Sequence, residues 1–360
     1  MTVMMMSNPA MRLLADTAQW DGQANVQVLE GGDGLLAHIL AARSGDVQVR
    51  SVTRDEREFV AAQKVLAHVP NAQASEAGFA LPDGEADVVV LPIPKGRYLS
   101  RALLVSAWSA LRQGGVLYLA GPSKVGAKSV INDARSLFGN AEVLGYKSRQ
   151  RVARCVKQIA EAGSPAWATE PGVAVGTYGQ FIIDAPHGEL VFHTRPGVFS
   201  WDGLDDGTAL LLEHLDVEPE QRVWDVGCGC GVIGLWAGSL GADVLMSDVD
   251  RVALTCARKN AVDNGLDDRV EVIASDGLKV DRPERFDRVV SNPAFHQGHE
   301  KDTQMADEMI AAAKRVLVPG GRLLIVANRF LPYAKAMTYA GFEVETLVDT
   351  RRFRVLEGRR

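Results

Sequence analysis

Three carboxylates, one run of alternating glycines and one Asn-Pro corner carry the chemistry legible in this chain of 360 residues. Asp225-Val226-Gly227-Cys228-Gly229-Cys230-Gly231 follows the apolar run Val223–Val226 and precedes a helical one, Val232–Leu240. Glycines at alternate positions remove side chains, so a ligand can lie against bare backbone at a strand-to-helix junction. A glycine turn alone is shared with dinucleotide-binding sheets and with tight turns that hold nothing. The acids separate these readings. Asp225 stands at the strand end, where a pyrophosphate is repelled and an ammonium is favoured. Asp248 closes the next β-rich run 23 residues later, at the position that takes a ribose diol in sheets of this class. Asp276 follows a third run, Val270–Ala274, where it meets an adenine amine or serves as a loop or capping acid. Ammonium, ribose and adenine together describe S-adenosyl-L-methionine better than NAD.

The second constellation is Ser291-Asn292-Pro293-Ala294-Phe295-His296, after the apolar strand Arg288–Val290. Ligands of open α/β sheets sit outside the carboxyl ends of the strands, so this corner and the glycine turn face one crevice. The expected catalytic set is Asn292, Pro293 and Phe295, and it suits methyl transfer to an exocyclic amine. Such a nitrogen has its lone pair delocalised into the ring and is a poor nucleophile. The Asn292 side-chain oxygen and the Pro293 carbonyl hold its two N–H groups and turn the lone pair toward a sulfonium methyl. Proline fixes the backbone behind that carbonyl, and Phe295 stacks on a planar base. Rate gain of this kind comes from positioning and charge stabilisation, without a strong base. The plainer alternative is a turn with Phe295 in the core. Cys228 and Cys230 are too closely spaced, and lack a second pair, for a zinc site, so no metal is expected. His296 and His299 lie in a polar loop, as part of a lid or of the surface.

The elements that position these residues occur twice. Val26–Leu29, Gly31-Gly32-Asp33-Gly34 and Leu35–Ala42 repeat the order strand, glycine turn, helix. Asp87–Pro92 mirrors Asp287–Pro293, and Gly114-Gly115 mirrors Gly320-Gly321. The offsets drift from 197 through 200 to 206 residues, as loop insertions in a duplicated fold would produce. Alternating strands and helices predict an α/β architecture of two tandem Rossmann-like domains, each on a parallel sheet. Phe342–Leu347 and Arg352–Leu356 predict an antiparallel hairpin at the edge. Gln180–Asp184 and Glu189–Thr194 predict another hairpin ahead of the second sheet. The expected boundaries are 1–160 for the first domain, 161–176 for an Ala/Gly/Pro-rich linker, and 177–360 for the second.

Composition sets the class. With 47% hydrophobic and 23% charged residues, the chain is an ordinary globular protein. It carries no apolar run of bilayer length, and its Met-rich start, without a basic and then apolar segment, leads us to expect no secretory leader. Four cysteines make no disulfide framework, so a reduced cytoplasm is the expected compartment. A net charge of −6 argues against non-specific coating of nucleic acid. Residues 1–163 nevertheless hold 18 basic and 15 acidic residues, +3, against −9 for the remainder. Lys147, Arg149, Arg151, Arg154 and Lys157 form one basic cluster, and Arg351, Arg352, Arg354, Arg359 and Arg360 another. They are solvated faces or a phosphate-contacting surface.

The second half resembles the small-domain class of S-adenosylmethionine-dependent methyltransferases, through its Asp-x-Gly-x-Gly-x-Gly turn and Asn-Pro corner. The whole chain, with Arg195-Pro196-Gly197-Val198-Phe199-Ser200 and Asp205-Asp206-Gly207-Thr208, resembles the bacterial ribosomal RNA guanine-N2 methyltransferases. That resemblance implies S-adenosyl-L-methionine as cofactor, bound by Asp225, Gly227, Gly229, Asp248 and Asp276, with Phe199 lining the pocket. It implies Asn292, Pro293 and Phe295 at the target base, which is a guanine of small-subunit rRNA. The expected partner is ribosomal RNA or the small subunit, with no membrane and a monomeric enzyme. Large-subunit rRNA, a protein glutamine amide, and an inactive RNA-binding or assembly factor are the alternatives. Ala294 departs from the family's second proline; the Pro293 carbonyl survives this change. In the first half, Glu30 replaces the first glycine and Leu91-Pro92-Ile93-Pro94 replaces the Asn-Pro corner. That domain is expected to bind no cofactor and to support RNA docking.

Overall fold

A strand covered on both faces has no polar side to alternate, so it reads as a continuous apolar run. Val88, Val89, Val90 and Leu91 are such a run, each at most 3% exposed. In the computed structural model, which describes residues 8–76, 84–158, 164–278, 285–293 and 300–360 (without the side chains of 300–305), they lie at the centre of a seven-stranded sheet. The chain divides into two compact units, Met1–Tyr178 and Gly179–Arg360.

The first unit runs α1 (Pro9–Thr17), β1 (Ala24–Leu29), α2 (Leu35–Ala41), β2 (Val47–Val52), α3 (Glu56–Leu66), β3 (Ala72–Ser75), β4 (Ala86–Pro92), α4 (Arg97–Ala110), β5 (Leu111–Pro122), α5 (Ala127–Phe138), β6 (Glu142–Lys147) and β7 (Gln150–Val156). Its strand order is β3-β2-β1-β4-β5-β7-β6, and β7 is antiparallel to both neighbours. The segment that composition marks as a linker is partly built into this unit. A 3-10 turn at Ala166–Thr169 packs on α4, and the Arg101 guanidinium sits 4.9 Å from the Trp167 ring centroid. A tryptophan face over a cation is a reason for the segment to stay put.

The second unit begins with a separate hairpin, β8 (Gly179–Ala185) and β9 (Gly188–Thr194), and continues α6 (Asp206–Leu212), β10 (Arg222–Val226), α7 (Val232–Ser239), β11 (Asp243–Asp248), α8 (Arg251–Asp263), β12 (Val270–Ala274), β13 (Phe286–Ser291), α9 (Glu300–Val316), β14 (Leu317–Asn328), α10 (Tyr333–Tyr339), β15 (Glu343–Asp349) and β16 (Phe353–Arg359). Its order, β12-β11-β10-β13-β14-β16-β15, is that of the first sheet. The two sheets are Rossmann-like and duplicated down to single contacts. Asp87 accepts the Asn25 N–H at 2.7 Å, and Asp287 accepts the Arg222 N–H at 2.8 Å. Gly114-Gly115 clamps the backbone of Lys157, and Gly320-Gly321 clamps that of Arg360.

Helix α8 holds the hairpin by side-chain amides that imitate a neighbouring strand. Asn260 Oδ1 accepts the His193 N–H at 2.7 Å, while its Nδ2 donates to the His193 carbonyl at 2.9 Å. One turn on, Asn264 does the same for Val191, at 2.9 and 2.8 Å. The start of α7 approaches β11 closely because residue 234 has no side chain. A Cβ there would lie 2.5 Å from Met246 Sδ and 3.2 Å from an Asp225 carboxylate oxygen. Gly234→Ala is therefore expected to destabilise the protein by about 1–3 kcal/mol through overpacking, measured as a lower midpoint of urea unfolding.

Candidate active site

Beyond β10 the chain turns through Gly227 (φ 73°), Gly229 (φ 56°) and Gly231 (φ 95°). The three glycines serve different ends. A Cβ at Gly231 would press on Met246 Sδ at 3.1 Å, whereas at Gly227 or Gly229 it would meet nothing within 4 Å. The first is needed for packing and the other two leave backbone bare toward a pocket. That pocket is walled by the turn, by Val232 and Ile233 of α7, by Phe199, by Phe181 of β8, and by Asp205, Thr208 and Asn292. Phe181 is braced from behind by Phe192, with ring centroids 5.3 Å apart and planes within 16° of parallel.

Asn292 reaches the same pocket from the end of β13. Its Nδ2 donates to Thr208 Oγ1 at 2.8 Å and to Asp205 Oδ2 at 3.0 Å. Asp205 is itself the N-cap of α6, accepting the Thr208 N–H at 2.9 Å. Both amide hydrogens are thus spent, which settles the amide's orientation and leaves Oδ1 accepting no hydrogen bond among the described residues. The preceding Ser291 donates its hydroxyl to the Val226 carbonyl at 2.7 Å, tying the corner to the strand that enters the glycine turn.

The acids occupy three different settings. Asp248 accepts the Gly229 N–H with one oxygen and the Asp250 N–H with the other, both at 2.8 Å. Each oxygen keeps a lone pair for a further donor. Burial raises its pKa to about 6, against those two N–H bonds. Asp225 is fully buried and lies outside the pocket wall. Its Oδ2 accepts the Gly234 N–H at 2.9 Å, and its Oδ1 has no hydrogen-bond partner among the described residues. Burial lifts its pKa to about 7, opposed by the Gly234 N–H and assisted by the Asp248 charge. Asp276 lies beyond the end of β12, beside the edge where Asp248 ends β11. It does not line the pocket.

Of the residues singled out in the sequence, Phe199, Gly227, Gly229 and Asn292 meet at one pocket. Asp248 reaches it through the backbone of Gly229. Pro293 follows Asn292 directly, and Phe295, His296 and His299 lie outside the described residues. Cys228 and Cys230 are buried, with thiol pKa values pushed up by burial, the latter to about 12. They behave as small apolar residues. Sequence reasoning missed Phe181 and the roles of Asp205 and Thr208. The signal for the latter was an Asp-x-x-Thr step before an apolar run, which also marks an ordinary helix start.

The bare backbone at Gly227 and Gly229, the orphaned Asp225 oxygen and the aromatic wall fit an adenosyl ligand bearing an amino-acid tail. The comparisons agree with this geometry. The Methyltransferase small domain family matches residues 189–357, which places the second unit in that class. Ribosomal RNA small subunit methyltransferase C of Chromohalobacter salexigens is 36% identical over 272 residues, covering 74% of this chain and 77% of that protein. Its namesake from Shewanella loihica is 29% identical over 360 residues, 99% of this chain and all of the relative. A solved structure of a T. thermophilus 16S rRNA N2 guanine methyltransferase, in complex with AdoMet and guanosine, superposes with a TM-score of 0.80 at 28% identity, over 98% of this chain and 92% of that one. The chain belongs to the ribosomal RNA small subunit methyltransferase C family and is a methyltransferase.

The raised Asp225 pKa has a definite sign. A carboxyl whose pKa is higher folded than unfolded contributes stability below about pH 4, and that contribution is lost as pH rises toward 7. The thermal midpoint of the ligand-free protein is expected to fall across that range. Asp225→Asn, which keeps an acceptor for the Gly234 N–H, should flatten the fall. A variant as steep as wild type in a pH series of calorimetric scans would contradict the assignment.

Proposed function

We propose that this enzyme transfers a methyl group from S-adenosyl-L-methionine to the exocyclic 2-amino group of a guanine in small-subunit ribosomal RNA. The observation that carries the reading is the Asn292 amide, locked by Asp205 and Thr208 beside a glycine turn with bare backbone. When bound, the cofactor supplies an electrophilic methyl on a sulfonium.

The chain's own residues prepare the nucleophile. Asn292 Oδ1 accepts one N–H of the guanine amine and the Pro293 carbonyl the other. Held at two points, the nitrogen gives up conjugation with the ring, and its lone pair turns away from both acceptors toward the methyl. The N–C bond forms as the S–C bond breaks. The cation that develops on nitrogen faces those two oxygens, and Asn292 Oδ1 is held beforehand by the bonds of its own Nδ2, which limits reorganisation. The methylated nitrogen, now strongly acidic, then loses one proton to water as the product leaves the two acceptors. Phe295 covers the base. Asp248 takes the ribose diol, and Asp276 the adenine amine. Asp225 Oδ1 takes a donor from the ligand's amino-acid end, while its Oδ2 holds the turn to α7.

The first unit is a degenerate copy that binds no cofactor and serves RNA docking. In it, Glu30 takes the place of Gly227 at φ 48°, and a Cβ on Gly32, the counterpart of Gly229, would meet Met11 Cε at 3.2 Å. The counterpart of the Asn-Pro corner is apolar, with Leu91 and Ile93 buried. Among the described residues no helix is long and apolar enough to cross a membrane. We read the enzyme as a cytoplasmic monomer acting on the small subunit or its RNA.

Three measurements test the reading. Tritiated cofactor with small subunits or deproteinised rRNA should label a guanine N2 position, identified by mass spectrometry of the digest. Asn292→Ala should lower kcat by about two to three orders of magnitude, as loss of a transition-state acceptor does, with cofactor affinity within a few-fold of wild type. Thr208→Val should fall between the two. Equal loss of kcat and cofactor affinity would refute the role of Asn292. Calorimetric titration of the full chain should give one cofactor site, and two sites would refute the division of labour between the units.

A further inference from the structure

The equivalent edge hairpins of the two units differ in one respect. In the second, the cations around the β15–β16 turn, Arg351 apart, are ion-paired. Arg354 and Arg329 both reach Asp349, at 2.9 and 3.0 Å, and Arg352 reaches Asp206 at 2.8 Å. In the first, the β6–β7 turn is Lys147-Ser148-Arg149-Gln150, and none of Lys147, Arg149 or Arg151 has an ion-pair partner among the described residues. From Gly121 to Lys157 the chain carries eight Lys and Arg against two acids. Both acids are engaged, Asp133 by Arg97 and Arg101, Glu142 by Arg154. Lys157 is consumed structurally, donating to the Trp108 and Leu111 carbonyls at the end of α4. Of the six that remain, Lys128 and Arg135 lie on α5, and Lys147, Arg149 and Arg151 are gathered at the hairpin tip.

The tip is also strained and aromatic. Ser148 (φ 51°) and Arg149 (φ 63°) both adopt left-handed backbone, in a two-residue loop where Asn-Gly is the unstrained choice. A long cation at such a position is disfavoured for the fold and thrust into solvent by it, the kind of cost that persists at working sites. Tyr146 is 58% exposed, with the Arg151 guanidinium 5.2 Å from its ring centroid. The Arg149 carbonyl accepts the Ser123 N–H at 3.1 Å, which brings exposed Lys124 to the same end of the sheet.

We infer that the β6–β7 hairpin is an RNA-docking edge, where Tyr146 stacks on an unpaired base and Lys147, Arg149 and Arg151 contact the flanking phosphates. A sequence-tolerant platform of aromatic and cations is what single-stranded RNA requires. The inference rests on the reading that the substrate is ribosomal RNA, and it places docking in the unit that lacks the catalytic corner.

The test uses the full chain with small ribosomal subunits and, separately, deproteinised small-subunit rRNA. Tyr146→Ala should raise KM for RNA about tenfold with kcat and cofactor affinity unchanged, and Tyr146→Trp should restore it. Arg149→Gly should raise the thermal midpoint, because glycine takes φ 63° without strain. It should also weaken RNA binding and lower the slope of log affinity against log salt by about one. Wild-type RNA binding in both Tyr146→Ala and Arg149→Gly would overturn the proposal. Binding is also read by filter retention without cofactor. If wild type binds RNA but transfers no methyl to it, the functional reading fails and the docking edge is still judged by its variants. If wild type binds neither RNA, the docking edge fails too.

Discussion

The candidate site depends on a constraint borne by one side-chain amide. An asparagine in a polar pocket has two nearly isosteric orientations, and only one offers an acceptor to an incoming amine. Here the choice is made twice over, since each hydrogen of Asn292 Nδ2 has its own oxygen, on Asp205 and on Thr208. Asp205 is in turn immobilised by capping α6. The orientation therefore rests on a helix terminus, which belongs to the rigid frame. Ser291 extends this by fastening the corner to the carbonyl of Val226, so the acceptor and the glycine turn keep one spacing.

Duplication exposes what a methyltransferase sheet needs and what it merely inherits. Strand order, the Asp87/Asp287 contacts and the Gly-Gly clamps are common to both units, and they serve folding. The differences lie at the carboxyl ends of the strands. One copy has bare glycine backbone facing space, and the other has Glu30 and Met11. The copy with Glu30 at its turn is also the one in which Lys147, Arg149 and Arg151 of the edge hairpin have no ion-pair partner among the described residues. The same frame thus carries opposite net charge in its two halves.

Much of the frame was legible in the sequence because apolar runs, glycine turns and the repeat all report local geometry. The hairpins and the third strand of the second sheet, Val270–Ala274, fell where the pattern placed them. The glycine turn and Asn292 were legible because their residue types are unusual at strand ends. Less legible was anything decided by how elements pack. Asp205 and Thr208 lie 87 and 84 residues from Asn292, and their side chains look like a common helix start. Whether Asp225 looks into the pocket or under α7 depends on how closely that helix approaches, which Gly234 governs. Trp167 belied the linker composition around it, since one aromatic ring on a cation outweighs several small neighbours.

Asn260 of α8 and Asn264 at its C-cap give the hairpin an unusual kind of joint. Each side-chain amide turns one N–H and its oxygen to the hairpin, as a peptide group would, so α8 stands in for a strand that the hairpin lacks. A carboxylate at residue 260 or 264 would set an oxygen against the His193 or Val191 carbonyl, and the joint would repel where it now grips. Phe181, the ring that closes one side of the pocket, is thereby answerable to the chemical integrity of two amides on a helix outside the sheet's own bonding.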